Sequence, residues 1–160
     1  MDRKGLDHLR LGVLLFPSFF IILPFLLSVV DRYYQWSAVG ALLLLFRVLA
    51  ILSTLIGVIL ILAVTVVFKR WGHGTPIPIF PPQKLVNSGL FRHTRNPMYL
   101  GYVLVCLGVS LWFGGGLLLI NPLLFFFVLN LIVHHHEEPV LFERFGEDFQ
   151  DYCRLVPRWL

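Results

Sequence analysis

A chain of 160 residues that is 58% hydrophobic, only 14% charged and has a mean hydropathy of +0.81 carries more apolar surface than a soluble domain of this length can bury, so the excess must face lipid. The net charge of +4 does not mark a nucleic-acid groove, because the cations are neither blocked nor interleaved with stacking aromatics. Two cysteines, Cys106 in an apolar run and Cys153 in a polar tail, sit in different settings without metal-site spacing, which argues against a disulfide framework.

Residues 1–10 form a polar head with Arg3, Lys4 and Arg10, and an apolar run follows over 11–30. At about 1.5 Å per residue that run crosses about 30 Å of hydrocarbon. It is long for a signal-peptide core and no A-x-A-like site precedes Asp31-Arg32, so a spanning helix is expected. Pro17 and Pro24 should kink it. Residues 31–36 read as a short exposed turn, and a second apolar stretch over 38–68 is longer than one crossing needs. Its one cation, Arg47, reads as snorkelling to the headgroups or marking the true start of the span.

Residues 69–96 are the only long polar connection, and Pro76, Pro78, Pro81, Pro82, Gly72, Gly74 and Gly89 exclude a continuous helix through it. The proline spacing favours a stiff extended segment laid against the protein. The chain turns apolar again over 98–113, breaks at Gly114-Gly115-Gly116 and resumes over 117–133. Each half is slightly short for a span, so a tight helical hairpin is expected to bring residues 95–99 and 134–138 to one membrane face. In the tail, Leu141, Phe142, Phe145, Phe149 and Tyr152 mark a short amphipathic pattern broken near Gly146.

The expected fold is therefore an all-α integral membrane protein of about four transmembrane helices, with a carboxyl-terminal helical hairpin and a cytosolic amphipathic tail. It forms a single domain over 1–160, with a helical anchor over 1–68 and a functional part over 69–160. Four spans place the head, the 69–96 connection and the tail on one side. That side carries Arg3, Lys4, Arg10, Lys69, Arg70, Lys84, Arg92, Arg95, Arg144, Arg154 and Arg158, leaving Arg32 and Arg47 elsewhere. By the positive-inside rule it is the cytoplasm, and the basic balance is a topology signal.

Three elements converge on this side: the proline- and glycine-shaped loop, an Arg95-Asn96-Pro97-Met98-Tyr99 turn leading into a helix, and the Glu137-Glu138 pair. Gly89 permits a left-handed turn, and Pro97 suits the first turn of a helix whose free amides can meet a ligand. The carboxylates either point at a ligand's hydroxyl or ammonium groups or pair with Arg92, Arg95 or Arg144. No metal centre is expected from His134-His135-His136, since neighbours on a helix point about 100° apart. His134 and Glu138 share a face, and His8, His73 and His93 stand alone.

The order Leu85-Val86, Gly89-Leu90-Phe91-Arg92, Arg95-Asn96-Pro97-Met98-Tyr99-Leu100-Gly101, Glu137-Glu138, Phe145-Gly146, Tyr152 and Val156-Pro157-Arg158 resembles the isoprenylcysteine carboxyl methyltransferase family and its bacterial relatives, and more broadly the phospholipid methyltransferases. The resemblance covers the second half of the chain. It implies a helical membrane enzyme that binds S-adenosylmethionine at its cytosolic face and methylates a lipophilic or lipidated, membrane-embedded substrate. Residue by residue, it implies cofactor contacts from Gln83, Lys84, Leu85, Val86, Phe91 (where a tyrosine is usual), Asn96 (in place of a histidine), Pro97, Met98, Tyr99 and Glu137. Arg95, Tyr99 and Glu138 are the candidates for catalysis. The resemblance implies the carboxylate of an isoprenylcysteine-like molecule as the acceptor, but eukaryotic members carry an arginine four residues before the glutamate, where this chain has Val133, which puts prenylcysteine itself in question.

Methyl transfer is an in-line displacement that asks the protein for alignment and exclusion of water. A carboxylate acceptor needs no strong base, whereas an ammonium acceptor calls for one among His93, His134, His135, His136 and Glu138. Three alternatives are an amine N-methyltransferase acting on phospholipid, an NADPH-dependent membrane reductase with a similar helical core, and a noncatalytic membrane scaffold.

Overall fold

The computed structural model describes residues 14–35, 40–72 and 84–160. The expectations for the amino-terminal head, the proline-rich stretch and Gln83 fall outside those residues. Helix α1 spans Leu14–Tyr33, and α2 spans Gly40–Val67 and runs on through a widened π-turn at Phe68–Gly72. After a 3-10 turn at Gly89–Arg92 come α3 (Pro97–Phe113), a 3-10 turn at Leu117–Leu119, and α4 (Ile120–Ile132). A π-turn at Val133–Glu137 leads into α5 (Glu138–Phe145), and α6 (Glu147–Leu155) closes the order. Among the described residues there is no strand.

Among the described residues three helical stretches are long and apolar enough to cross a membrane: Leu14–Tyr33, Leu42–Gly72 and Leu117–Phe145. Pro97–Phe113 is apolar but shorter. Hydrocarbon offers no partner for a free peptide group, and a helix satisfies its own. The chain is thus an all-α membrane protein.

Helices α2 and α3 pack closely because small residues face each other at their crossing. A Cβ at Gly57 would stand 2.6 Å from the Gly101 carbonyl oxygen, and one at Gly108 would stand 2.8 Å from that of Ala50. The approach lets Ser53 donate its hydroxyl to the Leu104 carbonyl at 2.7 Å. Lipid tails are as apolar as leucine, so contact of this closeness, rather than hydrophobic exclusion, is what holds such helices together.

Helix α1 accommodates its prolines with a π-turn at Ser18–Ile22. The Phe19 carbonyl accepts the Asn121 side-chain amide at 3.0 Å, which ties α1 to the start of α4. Asn121 is fully buried, and its amide also approaches Cys106 Sγ at 3.2 Å and Ser110 Oγ at 3.4 Å.

Two expectations are corrected. Asp31 does not open an exposed turn: it lies in the last turns of α1, 1% exposed, and its Oδ1 accepts the Leu117 amide at 3.1 Å. A carboxylate facing a free amide at the start of a helix is favoured there, and the second oxygen, Oδ2, is buried with no partner among the described residues. The returning helix does not end at His134–Glu138 either. Helical structure continues from Leu117 to Phe145, so the glutamates occupy its interior. The break after Phe145 is where the pattern placed it: Gly146 has φ +55°, a conformation that costs other residues energy, and α6 departs from there. Helix α6 lays Phe149 and Tyr152 on a core completed by Val64, Val86, Phe91 and Val156.

Candidate active site

The loop before α3 is built from its apolar residues. Gly89 stands at φ +62°, in the left-handed region that glycine enters freely, and starts the 3-10 turn that buries Phe91. The Phe91 carbonyl then accepts the Tyr152 hydroxyl at 2.7 Å, fixing the loop under α6. Burial raises the Tyr152 phenol above its ordinary range, so it remains a donor.

Of the loop residues singled out in the sequence, Val86 and Phe91 are in this core, with Leu85 packed against it. Lys84 and Leu85 also line a cleft of ≈ 870 Å³ whose walls include Asn87, Arg92, Asp148, Asp151 and Tyr152. Tyr99 and Glu137 do not line it.

Asn96 precedes α3, but its side chain caps nothing there. Its Nδ2 donates to the Arg158 carbonyl at 3.1 Å, and the Thr94 hydroxyl donates to the same oxygen at 3.1 Å. The Arg95 amide donates to the Pro157 carbonyl at 3.0 Å. Residues 94–96 are thereby bound to the tail. Pro97 is buried in the first turn of α3, and Met98 packs on the core beneath α6.

In the same turn, the Tyr99 hydroxyl donates to Glu137 Oε1, joining the two distant sequence patches. Both side chains are half-buried. The bond takes Oε1, and a carboxylate of this kind has further acceptor capacity that a ligand's hydroxyl or ammonium group could use.

Glu138 is engaged instead by guanidiniums. Arg158 forks onto it, Nε to Oε1 at 2.8 Å and NH2 to Oε2 at 2.7 Å, and Arg95 NH1 lies 3.0 Å from Oε1. The bidentate arrangement is the strong form of this contact. The Glu138 bond raises the Arg158 guanidinium further above its already high range. His134 shares the face as its spacing predicted, with Nδ1 at 3.8 Å from Glu138 Oε2 and 3.1 Å from Arg158 NH2. Arg95 also donates to Cys153 Sγ at 2.6 Å. Burial pushes that thiol up, while Arg95 pulls partly the other way.

Arg158, Thr94 and Cys153 form part of this assembly and were given no role by sequence reasoning. The Val156-Pro157-Arg158 run was visible as a signature, but nothing in it named Glu138 as the partner. Arg92 and Arg144, the other cations weighed for the glutamates, are absent from these pairs; Arg144 lies over the Phe145 ring. Among the described residues no group of three or more histidine, cysteine or acidic side chains is placed to hold a metal ion.

What this end of the bundle offers is a carboxylate, a phenol that orients it, and a doubly clamped neighbouring carboxylate that fixes the helix carrying both. Comparison with curated proteins and with solved structures gives no match. A family model does match, that of the phospholipid methyltransferases over residues 37–148, and the chain belongs to that family of membrane methyltransferases.

Proposed function

We propose that the protein transfers a methyl group from S-adenosylmethionine to a lipophilic acceptor held in the bilayer, and that the end carrying Tyr99 and Glu137 faces the cytoplasm. Family membership supports the reaction. The observation that carries the site is the hydrogen bond from Tyr99 to Glu137, which brings the two sequence patches together.

The chemistry fits the cofactor: a carboxylate acceptor complements a ribose hydroxyl or an ammonium group. When bound, S-adenosylmethionine supplies a methyl carbon on a sulfonium, open to in-line attack. The protein's own work is positional. Tyr99 orients Glu137, and Arg95 and Arg158 fix Glu138 next to it, so the π-turn between α4 and α5 is held from two sides. Val86 and Phe91 support the loop from below, and Lys84 and Leu85 present it to the cleft. Alignment of this kind accounts for a large share of the acceleration in a two-substrate displacement.

The acceptor is a lipid. Val133, where the carboxyl methyltransferases have an arginine, turns the reading away from prenylcysteine and toward a phospholipid amine. An ammonium must lose its proton before attack. Both Glu138 oxygens are engaged by guanidiniums and Glu137 is assigned to the cofactor, which leaves a histidine of the His134-His135-His136 turn as the base.

The test is to incubate purified protein in nanodiscs with methyl-labelled S-adenosylmethionine and phosphatidylethanolamine, a fatty acid or a prenylcysteine, and to follow the label into lipid. Label in the methylated amine is the expected result, and label in a carboxyl ester would reassign the acceptor. Stabilisation by NADPH with no transfer to any acceptor would overturn the reading.

A further inference from the structure

At the end of the bundle away from Tyr99 and Glu137, α2 and α3 leave a groove of ≈ 370 Å³ open to the lipid side. Its walls are apolar, with Ile51 and Leu55 on α2, and Val109, Trp112 and Phe113 on α3. Its floor is low because Gly108 has no side chain and sits against Ala50 and Thr54.

Arg47 stands one turn above this groove. It is exposed, and its guanidinium lies 5.7 Å from the centroid of the Trp112 ring. Among the described residues it pairs with no carboxylate, and the nearest acid in sequence, Asp31, is buried against the Leu117 amide. It also lies inside a stretch apolar enough to span, Leu42–Gly72. Arg47 is five residues from the start of that stretch, which is longer than one crossing needs, so its guanidinium reaches headgroup level. Cation–π contact with an indole supplies only part of its compensation there. A phospholipid joins a phosphate to an acyl chain, the combination that a cation beside an apolar groove complements. Guanidinium geometry suits phosphate oxygens.

We infer that the α2–α3 groove beneath Arg47 binds one phospholipid, with the phosphate on the Arg47 guanidinium and an acyl chain along Ile51, Leu55, Gly108 and Val109. The site lies in the leaflet opposite the Tyr99–Glu137 end and does not depend on the methyl-transfer reading. Its occupant bridges the two helices whose contact holds Gly101, and hence the start of α3, in place.

The test uses the full chain in nanodiscs containing phosphatidylglycerol with a photoreactive acyl chain, and in parallel nanodiscs containing diacylglycerol with the same chain and no phosphate. Label is mapped by peptide mass spectrometry. Phosphatidylglycerol should concentrate label at Ile51, Leu55 and Val109. Arg47→Gln should lower it by roughly tenfold, the scale of one lost charge-assisted contact. Leu55→Trp, at a position 54% exposed to lipid, should lower it by filling the groove while leaving the helix contact intact. Equal labelling by diacylglycerol, or labelling of the groove that is indifferent to Arg47→Gln, overturns the proposal. So does an unlabelled groove with a dimeric mass that Leu55→Trp reduces to monomer, since the occupant would then be a second copy.

Discussion

The Tyr99 hydroxyl donates to Glu137 Oε1 across the interface between α3 and the π-turn that follows α4, so two residues distant in sequence share one proton-mediated contact. Tyr99→Phe keeps the ring that packs beside Tyr102 and removes only the donor. Glu137 then loses its orienting partner. A hydrogen bond to a charged group contributes about 1.5–3 kcal/mol, so the affinity for S-adenosylmethionine should fall by roughly tenfold or more. Titration calorimetry checks this, with an unchanged helical circular dichroism spectrum as the control for folding.

Arg158 should behave as a fork and not as a charge. Arg158→Gln should lower the unfolding temperature in detergent and raise the KM for S-adenosylmethionine, because the tail and the glutamate-bearing turn lose their shared anchor. Arg158→Lys keeps the cation but cannot make both contacts, at 2.8 Å and 2.7 Å, from one planar group. It should therefore recover only part of the stability. Full recovery by lysine would mean that simple charge pairing suffices.

The buried carboxylate at the other end makes a double-mutant prediction. A Cβ on Gly115 would stand 2.6 Å from Asp31 Cγ, so Gly115→Ala should destabilise by about 1–3 kcal/mol through overpacking. Asp31→Ala alone should also destabilise, by removing the acceptor of the Leu117 amide. Combined, the two changes should cost less than their sum, since the second removes the obstacle to the first. Strict additivity in chemical denaturation would separate Asp31 from Gly115.

The α2–α3 contact is equally open to test. Gly101→Val brings a branched side chain to where even a Cβ would be 2.9 Å from the Gly57 carbonyl and 2.8 Å from Ile61 Cγ1. Spin labels at lipid-facing positions of the two helices should report a larger separation, and methyl transfer should fall because Gly101 lies two residues after Tyr99. Unchanged label distances would show that the helices do not meet through these glycines.

Hydropathy made the helices legible, because a lipid-facing run declares itself by length and apolarity, and Gly146 declared the break before α6 by its backbone freedom. Asp31 was misread because a charge beside Arg32 looks solvated until Leu117, far along the chain, presents its amide. Local pattern also could not show that the helix after Leu117 runs on through Glu137 and Glu138 to Phe145, because charge ordinarily signals a membrane edge. Of the site, the approach of Tyr99 to Glu137 was legible from the ordered motifs. The attachment of Thr94, Arg95 and Asn96 to Pro157 and Arg158 was not, since it rests on tertiary hydrogen bonds to backbone carbonyls, which leave no mark on residue type.

The most direct measurement is a calorimetric titration of S-adenosylmethionine into wild-type protein and into Glu137→Gln. The amide keeps the shape of the side chain and can still accept the Tyr99 proton, but it lacks the charge. Binding to wild type and at least roughly tenfold weaker binding to the variant, with matching unfolding curves, is the result expected from the loss of one charged hydrogen bond. Equal affinity of the two proteins would contradict the assignment of Glu137 to the cofactor.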